Sequence, residues 1–216
     1  MRHLLPITFA LLLVVCGGTP QAVAPSSTPR PTGSAPATSP TPVPTYPPKA
    51  EGFTSKLLVE KPRNIATSAP GFISIIAGSS SDGGVSAAVS DAETFTGSYR
   101  LATDASPAAT VYSTPQLPPL AAGRYGESLR LVTVQPAGRS AAHMHSGIEG
   151  VLVLEGRVLV RTAGQAPAFL NVREGFYILP KTPVQLINAG ATVARTLVYS
   201  ISPEGVPYSV ELDESP

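Results

Sequence analysis

Two histidines and one carboxylate supply the clearest chemistry in this sequence. They lie in the segment Gly138-Arg139-Ser140-Ala141-Ala142-His143-Met144-His145-Ser146-Gly147-Ile148-Glu149. Residues two apart on a strand share a face, so His143 and His145 project the same way and Met144 the opposite way. Glu149 returns to their side across the Ser146-Gly147 bend. Two imidazoles and a carboxylate suit one divalent ion of the Fe, Mn, Zn, Ni or Cu class and leave open coordination positions. The chain has three histidines, and the third is His3, so any histidine chemistry in a folded part must use His143 and His145. Cys16 is the single cysteine, which excludes an intramolecular disulfide and a Cys-based zinc site. There is no Ser-His-Asp pattern and no Gly-rich phosphate loop.

The elements that must position these groups read as strands. Short β-like runs recur at Gly71–Ala77, Val85–Val89, Ser128–Val134, Gly150–Leu154, Val158–Thr162, Phe176–Leu179, Val184–Ile187 and Val193–Ser200. Turn signals separate them, among them Glu155-Gly156, Ala163-Gly164 and Asn188-Ala189-Gly190. No long amphipathic helix is evident. Regularly spaced short strands with such punctuation argue for an all-β sandwich or barrel. Tyr177, Tyr199, Arg161 and Arg130 lie on or near these strands, and alternation alone leaves open which of them face inward.

The stretch from Gly138 to Gly156 resembles the first signature of the cupin family: a glycine, then His-x-His, a glutamate and a closing glycine. His143, His145 and Glu149 fall on the family's ligand positions and Gly156 on its closing glycine. The resemblance implies a cupin-type jelly-roll β-barrel with one divalent metal ion inside it. The run Gly175-Phe176-Tyr177-Ile178-Leu179-Pro180-Lys181-Thr182-Pro183-Val184-Gln185-Leu186-Ile187-Asn188 is similar to the family's second signature, which supplies one more histidine. Here that histidine is missing. Counting from Pro180 puts Gln185 at its position, and counting back from Asn188 puts Val184 there. Gln185 is the preferred fourth ligand, because its amide oxygen can coordinate a hard ion or bond to a metal-bound water. A glutamine lining the barrel without touching metal is the alternative.

The N-terminus reads as an address. Leu4 to Val15 is an apolar run too short to span a bilayer, which takes ~20 residues, and it suits a signal-peptide core. Leu13-Val14-Val15-Cys16 resembles a bacterial lipobox, although Val15 stands where a small residue is usual. The resemblance implies lipidation of Cys16, export, and anchoring to the outer face of a bacterial membrane. Cleavage after Ala22-Val23-Ala24 would make the protein simply secreted. Thr19 to Gly52 is rich in Pro, Ser, Thr and Ala, with too little apolar surface to offset the entropy of ordering. The expected organisation is a signal peptide over 1–15, a disordered linker over 16–52, strands and loops laid against the barrel over 53–114, and the barrel over 115–210.

The chain has 216 residues and a net charge of +1, with no basic footprint of a nucleic-acid binder. The expected function is an exported protein that binds a divalent metal in its barrel. It would act as a metal-dependent enzyme, oxygenase- or isomerase-like, on a small organic molecule. A non-catalytic module that captures a small ligand, or a structural cell-surface barrel with a degenerate site, is the alternative. The family often dimerises, so a homodimer is left open.

Overall fold

The computed structural model describes residues 45–66, 68–77, 85–89, 95–102 and 110–216. The expected signal peptide, Cys16 and the expected linker up to residue 44 lie outside the described residues. Fifteen strands and no helix are found among those described. In chain order they are β1 (Glu51–Ile65), β2 (Ala69–Ala77), β3 (Val85–Val89), β4 (Phe95–Ala102), β5 (Thr110–Ser113), β6 (Leu117–Leu120), β7 (Gly123–Arg139) and β8 (His143–His145). There follow β9 (Ile148–Glu155), β10 (Val158–Thr162), β11 (Ala168–Leu170), β12 (Gly175–Ile178), β13 (Val184–Asn188), β14 (Ala194–Pro203) and β15 (Ser209–Glu211).

Ten strands form one sheet that curls into a nearly closed barrel. Its path runs β11-β10-β13-β7-β14-β9-β12, with β1 on β7 and with β8 joining β13 to β15. The long strand β7 organises it. Along most of its length β7 pairs with β1 on one side and β14 on the other, and at its end Arg139 meets Ile187 of β13. A second sheet, β3-β4-β2-β5 with β6 on β2, is built from the segment before β7.

The barrel sheet is buried on both faces, and this explains its apolar sequence. Val132, Val134, Val151, Val153, Leu186 and Val198 belong to the core inside the barrel. Leu129, Leu152, Leu197, Tyr199 and Ile201, on the other face of the same strands, form a second core with Ile73, Ile75 and Leu117 from the smaller sheet. Each fully buried side chain of this size contributes roughly 1.5–3 kcal/mol. Strands covered on both faces read as continuous apolar runs rather than as alternation, which is how Val151-Leu152-Val153-Leu154 reads.

All eight expected β-runs fall on strands. Besides the short strands β4, β5, β6 and β11, which no expected run covers, the main departures lie near the two ends of the described chain. β1 is hydrogen-bonded along β7 from Glu51 to Ile65 and is a barrel strand, not a segment laid against the barrel. Its charged residues and Pro62 concealed it. It is an edge strand with one face in water, where a proline's missing N–H is tolerated. The end of the expected linker is also docked. The Pro48 carbonyl accepts from the Ala142 N–H and the Pro47 carbonyl from Gln185, while the Arg161 guanidinium lies 5.8 Å from the Tyr46 ring centroid. At the other terminus, β15 pairs with β8, the strand that carries both histidines.

Candidate metal and ligand site

β8 is only three residues long, but it is held on both sides. Val184 of β13 stands opposite His143, and Ser209, Val210 and Glu211 of β15 stand opposite His145, Met144 and His143. The chain then turns through Ser146-Gly147 into β9. Gly147 is required there, because a Cβ would collide with the Ile201 carbonyl and come within 2.6 Å of Ser202. Gly156 closes the β9–β10 hairpin at φ +74°, a left-handed conformation that favours glycine.

This folding brings His143, His145 and Glu149 onto the wall of one cavity of about 250 Å³. Their rings and carboxyl are close. The two imidazoles meet edge-on with centroids 4.5 Å apart, and His145 Nε2 lies 3.2 Å from Glu149 Oε2. His143 Nδ1 is 2.7 Å from the Ala141 carbonyl, which fixes the proton there and leaves Nε2 as the acceptor nitrogen. The buried His145 stands between the Glu149 carboxyl and the Tyr208 backbone. Glu149 is buried and accepts a hydrogen bond from the Tyr208 hydroxyl.

Burial sets the protonation of the site. It pushes His145 down to about 4 and also lowers His143, where the neighbouring His145 adds to the effect. Both imidazoles are therefore neutral at pH 7. The same burial pushes Glu149 up to about 7, against the pull of the Tyr208 hydrogen bond. Burial, followed by the nearby Glu149, raises Tyr208 well above the ordinary tyrosine range, so its hydroxyl stays a donor.

Among the described residues, no group of three or more His, Cys, Asp or Glu side chains is drawn together as a formed metal centre. One pair, His145 and Glu149, is nevertheless spaced as two ligands of a single ion would be. Two ligands held at about 2.1 Å and at right angles on one ion lie about 3 Å apart, close to the separation of His145 Nε2 and Glu149 Oε2.

Gln185, the expected fourth ligand, is placed away from the cavity wall. It does not line the cavity, whereas Leu186 does. Val184 and Leu186 both belong to the core inside the barrel, so strand alternation turns Gln185 to the outer face. There its Nε2 donates to the Pro47 carbonyl at 2.7 Å and to the Ser140 carbonyl at 3.2 Å. The inward position opposite His143 is Val184, and it offers no donor. Of the polar strand residues, Arg130 lines the cavity, whereas Tyr199 belongs to the outer core and Tyr177 packs against it.

Tyr208 was not evident from sequence. It precedes β15, beyond the last strong β-run, and no spacing rule ties it to His145. Its ring centroid lies 4.8 Å from that of His145, and the Arg130 guanidinium sits 4.9 Å above its face.

No curated protein matches the chain. Among solved structures, an oxalate oxidase in complex with the substrate analogue glycolate is 24% identical, with 40% of this chain and 46% of that one covered and a TM-score of 0.37. The DMSP lyase DddQ from Ruegeria pomeroyi is 14% identical over 42% and 45%, TM-score 0.38. A cupin-like protein from Thermotoga maritima is 15% identical over 43% and 78%, TM-score 0.38. The chain thus spans less than half the length of the oxidase and lyase chains. Residues 130–200, which hold Arg130, both site histidines and Glu149, match the family model described as the cupin domain.

Proposed function

We propose that the barrel binds one divalent metal ion through His143, His145 and Glu149 and acts on a small organic molecule in the adjoining cavity. The observation that carries this reading is the convergence of His143, His145 and Glu149 on one cavity wall, with His145 Nε2 3.2 Å from Glu149 Oε2. When bound, the metal would polarise a substrate or activate oxygen or water. The chain's own residues prepare the site. The Ala141 carbonyl fixes the His143 tautomer. The Tyr208 hydroxyl holds one oxygen of Glu149. Burial keeps both imidazoles neutral, so their lone pairs are available at pH 7. Leu186, Val198 and Val132 give the cavity apolar walls.

Protein purified without chelators should carry near-stoichiometric metal, absent from a His143→Ala/His145→Ala variant. No metal above background in the unaltered protein would overturn the proposal. Ligand formation must displace the Glu149 proton, held up to about 7. Metal affinity should therefore fall as pH drops below 7.

A second reading is a module that captures a small ligand without turning it over. The apolar Val184 at the fourth position favours it, because three protein donors bind late transition metals less tightly than four. Unchanged ligand binding after both histidines are replaced would select it. A purely structural barrel is disfavoured by the cavity beside Glu149.

The proposal includes export and lipid attachment through Cys16 to the outer face of a bacterial membrane. Cys16→Ala should release the protein from the membrane fraction. Retention of that variant there would overturn the anchor.

A further inference from the structure

The cavity wall holds a cation that the metal reading does not use. Arg130, on β7, lines the 250 Å³ cavity and also a neighbouring cavity of about 520 Å³. The other cations of the second cavity have acidic partners: Lys61 Nζ lies 3.7 Å from Glu127, and Arg124 Nε lies 2.6 Å from Glu204. Among the described residues, no carboxylate stands within ion-pair distance of Arg130, and its buried Nε has no hydrogen-bond partner. Arginine cannot lose its charge in a protein, and this guanidinium is only half-buried, with an open Nε donor on a cavity wall, which suits it to an anion. Glu149 is engaged elsewhere, by Tyr208 and His145. The Tyr208 ring beneath Arg130 keeps the guanidinium plane in place. A planar fork of donors matches a carboxylate in two-point contact.

We propose that Arg130 is the recognition residue for the carboxylate of a small organic acid, held so that the rest of the molecule reaches the His143, His145 and Glu149 wall. This rests on the reading of that wall as a ligand site and names its substrate class. The apolar sides of the cavity suit a compact carbon skeleton. Its 250 Å³ lies below the roughly 300–1,000 Å³ of drug-sized pockets, which favours a small acid.

The test titrates the full chain, metal-loaded and chelator-treated, with acetate, lactate, succinate and benzoate and with their amides, by calorimetry at constant ionic strength. At least one acid should bind ten-fold or more tightly than its amide. Arg130→Gln should erase that preference, leave amide binding unchanged, and keep the metal content of the unaltered protein. Arg130→Lys, which keeps charge but loses the fork, should retain only part of the preference and serves as the arbiter if the glutamine variant does not fold. Absence of any acid preference, or full preference in either variant, would overturn the proposal. An Arg130-dependent preference that persists in metal-free protein would uphold it even if the metal assignment fails. Bound metal without acid preference would overturn it while leaving the metal site standing.

Discussion

Glu127 and Glu149 are both buried carboxylates, and both stand beside β14, opposite Ile201 and Ser200 respectively. Their surroundings differ completely. Glu127 faces the outer core, where it accepts from the Tyr199 hydroxyl at 2.6 Å and meets Arg63 at 3.1 Å and Lys61 at 3.7 Å. Glu149 faces the barrel interior, beside a neutral histidine, a tyrosine and a cavity. One carboxylate is balanced by cations and closed in by packing, so it fastens β1 and β14 to β7. The other has no cation within ion-pair distance among the described residues apart from its contact with the neutral His145, and it borders open space. A buried charge that is fully answered is architecture. One that is only partly answered beside a cavity is a candidate site.

The largest effect should come from breaking the answered charge. Glu127→Ala leaves Arg63 and Lys61 facing a buried gap and should cost about 3–5 kcal/mol. Thermal melting should show a Tm lower by roughly 10 °C, with metal content unchanged in the folded fraction. Glu149→Gln should do the reverse. Metal affinity should fall by about 100-fold or more, equivalent to about 2.7 kcal/mol, while the melting temperature of metal-free protein stays the same or rises. Competition with a metallochromic chelator measures the first and calorimetry the second. Equal destabilisation by the two substitutions would abolish the contrast.

A smaller effect attaches to Tyr199→Phe, which removes one hydrogen bond from Glu127 and should cost about 1–2 kcal/mol. Burial, with the adjacent Glu127 adding to it, raises Tyr199 well above the ordinary tyrosine range. The folded state therefore keeps its proton while the unfolded chain loses it near pH 10. Stability should fall as pH rises above 10, by about 1.4 kcal/mol per pH unit for this one group. The phenylalanine variant should flatten that slope in denaturant titrations between pH 9 and 11. Tyr112, which burial pushes up to about 12, and Tyr208, raised well above the ordinary range, leave a residual slope in the variant. The smallest effect is that of Gln185→Ala. Losing its bonds to Pro47 and Ser140 should cost about 1 kcal/mol of stability and leave metal affinity within two-fold. A large loss of affinity would put Gln185 back in the site.

Much of the fold was legible because turn residues and β-branched runs are local signals. β1 and β15 escaped because their partners lie far along the chain. The polar face of β1 resembles a loop, and the three residues of β15 carry no pattern of their own. The core of the site was legible for the same local reason: His143, Met144 and His145 span one strand, and the period of two puts the histidines on one face whatever surrounds them.

The sequence by itself determined that an all-β chain would present two imidazoles and a carboxylate together, because spacing along one strand and across one bend is enough. Only the tertiary structure decided which way the neighbouring strands face. β7, β13 and β14 are buried on both sides, so alternation names two faces without saying which encloses the cavity. Closure of the barrel made that choice. It turned Arg130 inward, sent Gln185 and Glu127 outward, and brought Tyr208 from the C-terminal end of the chain against Glu149.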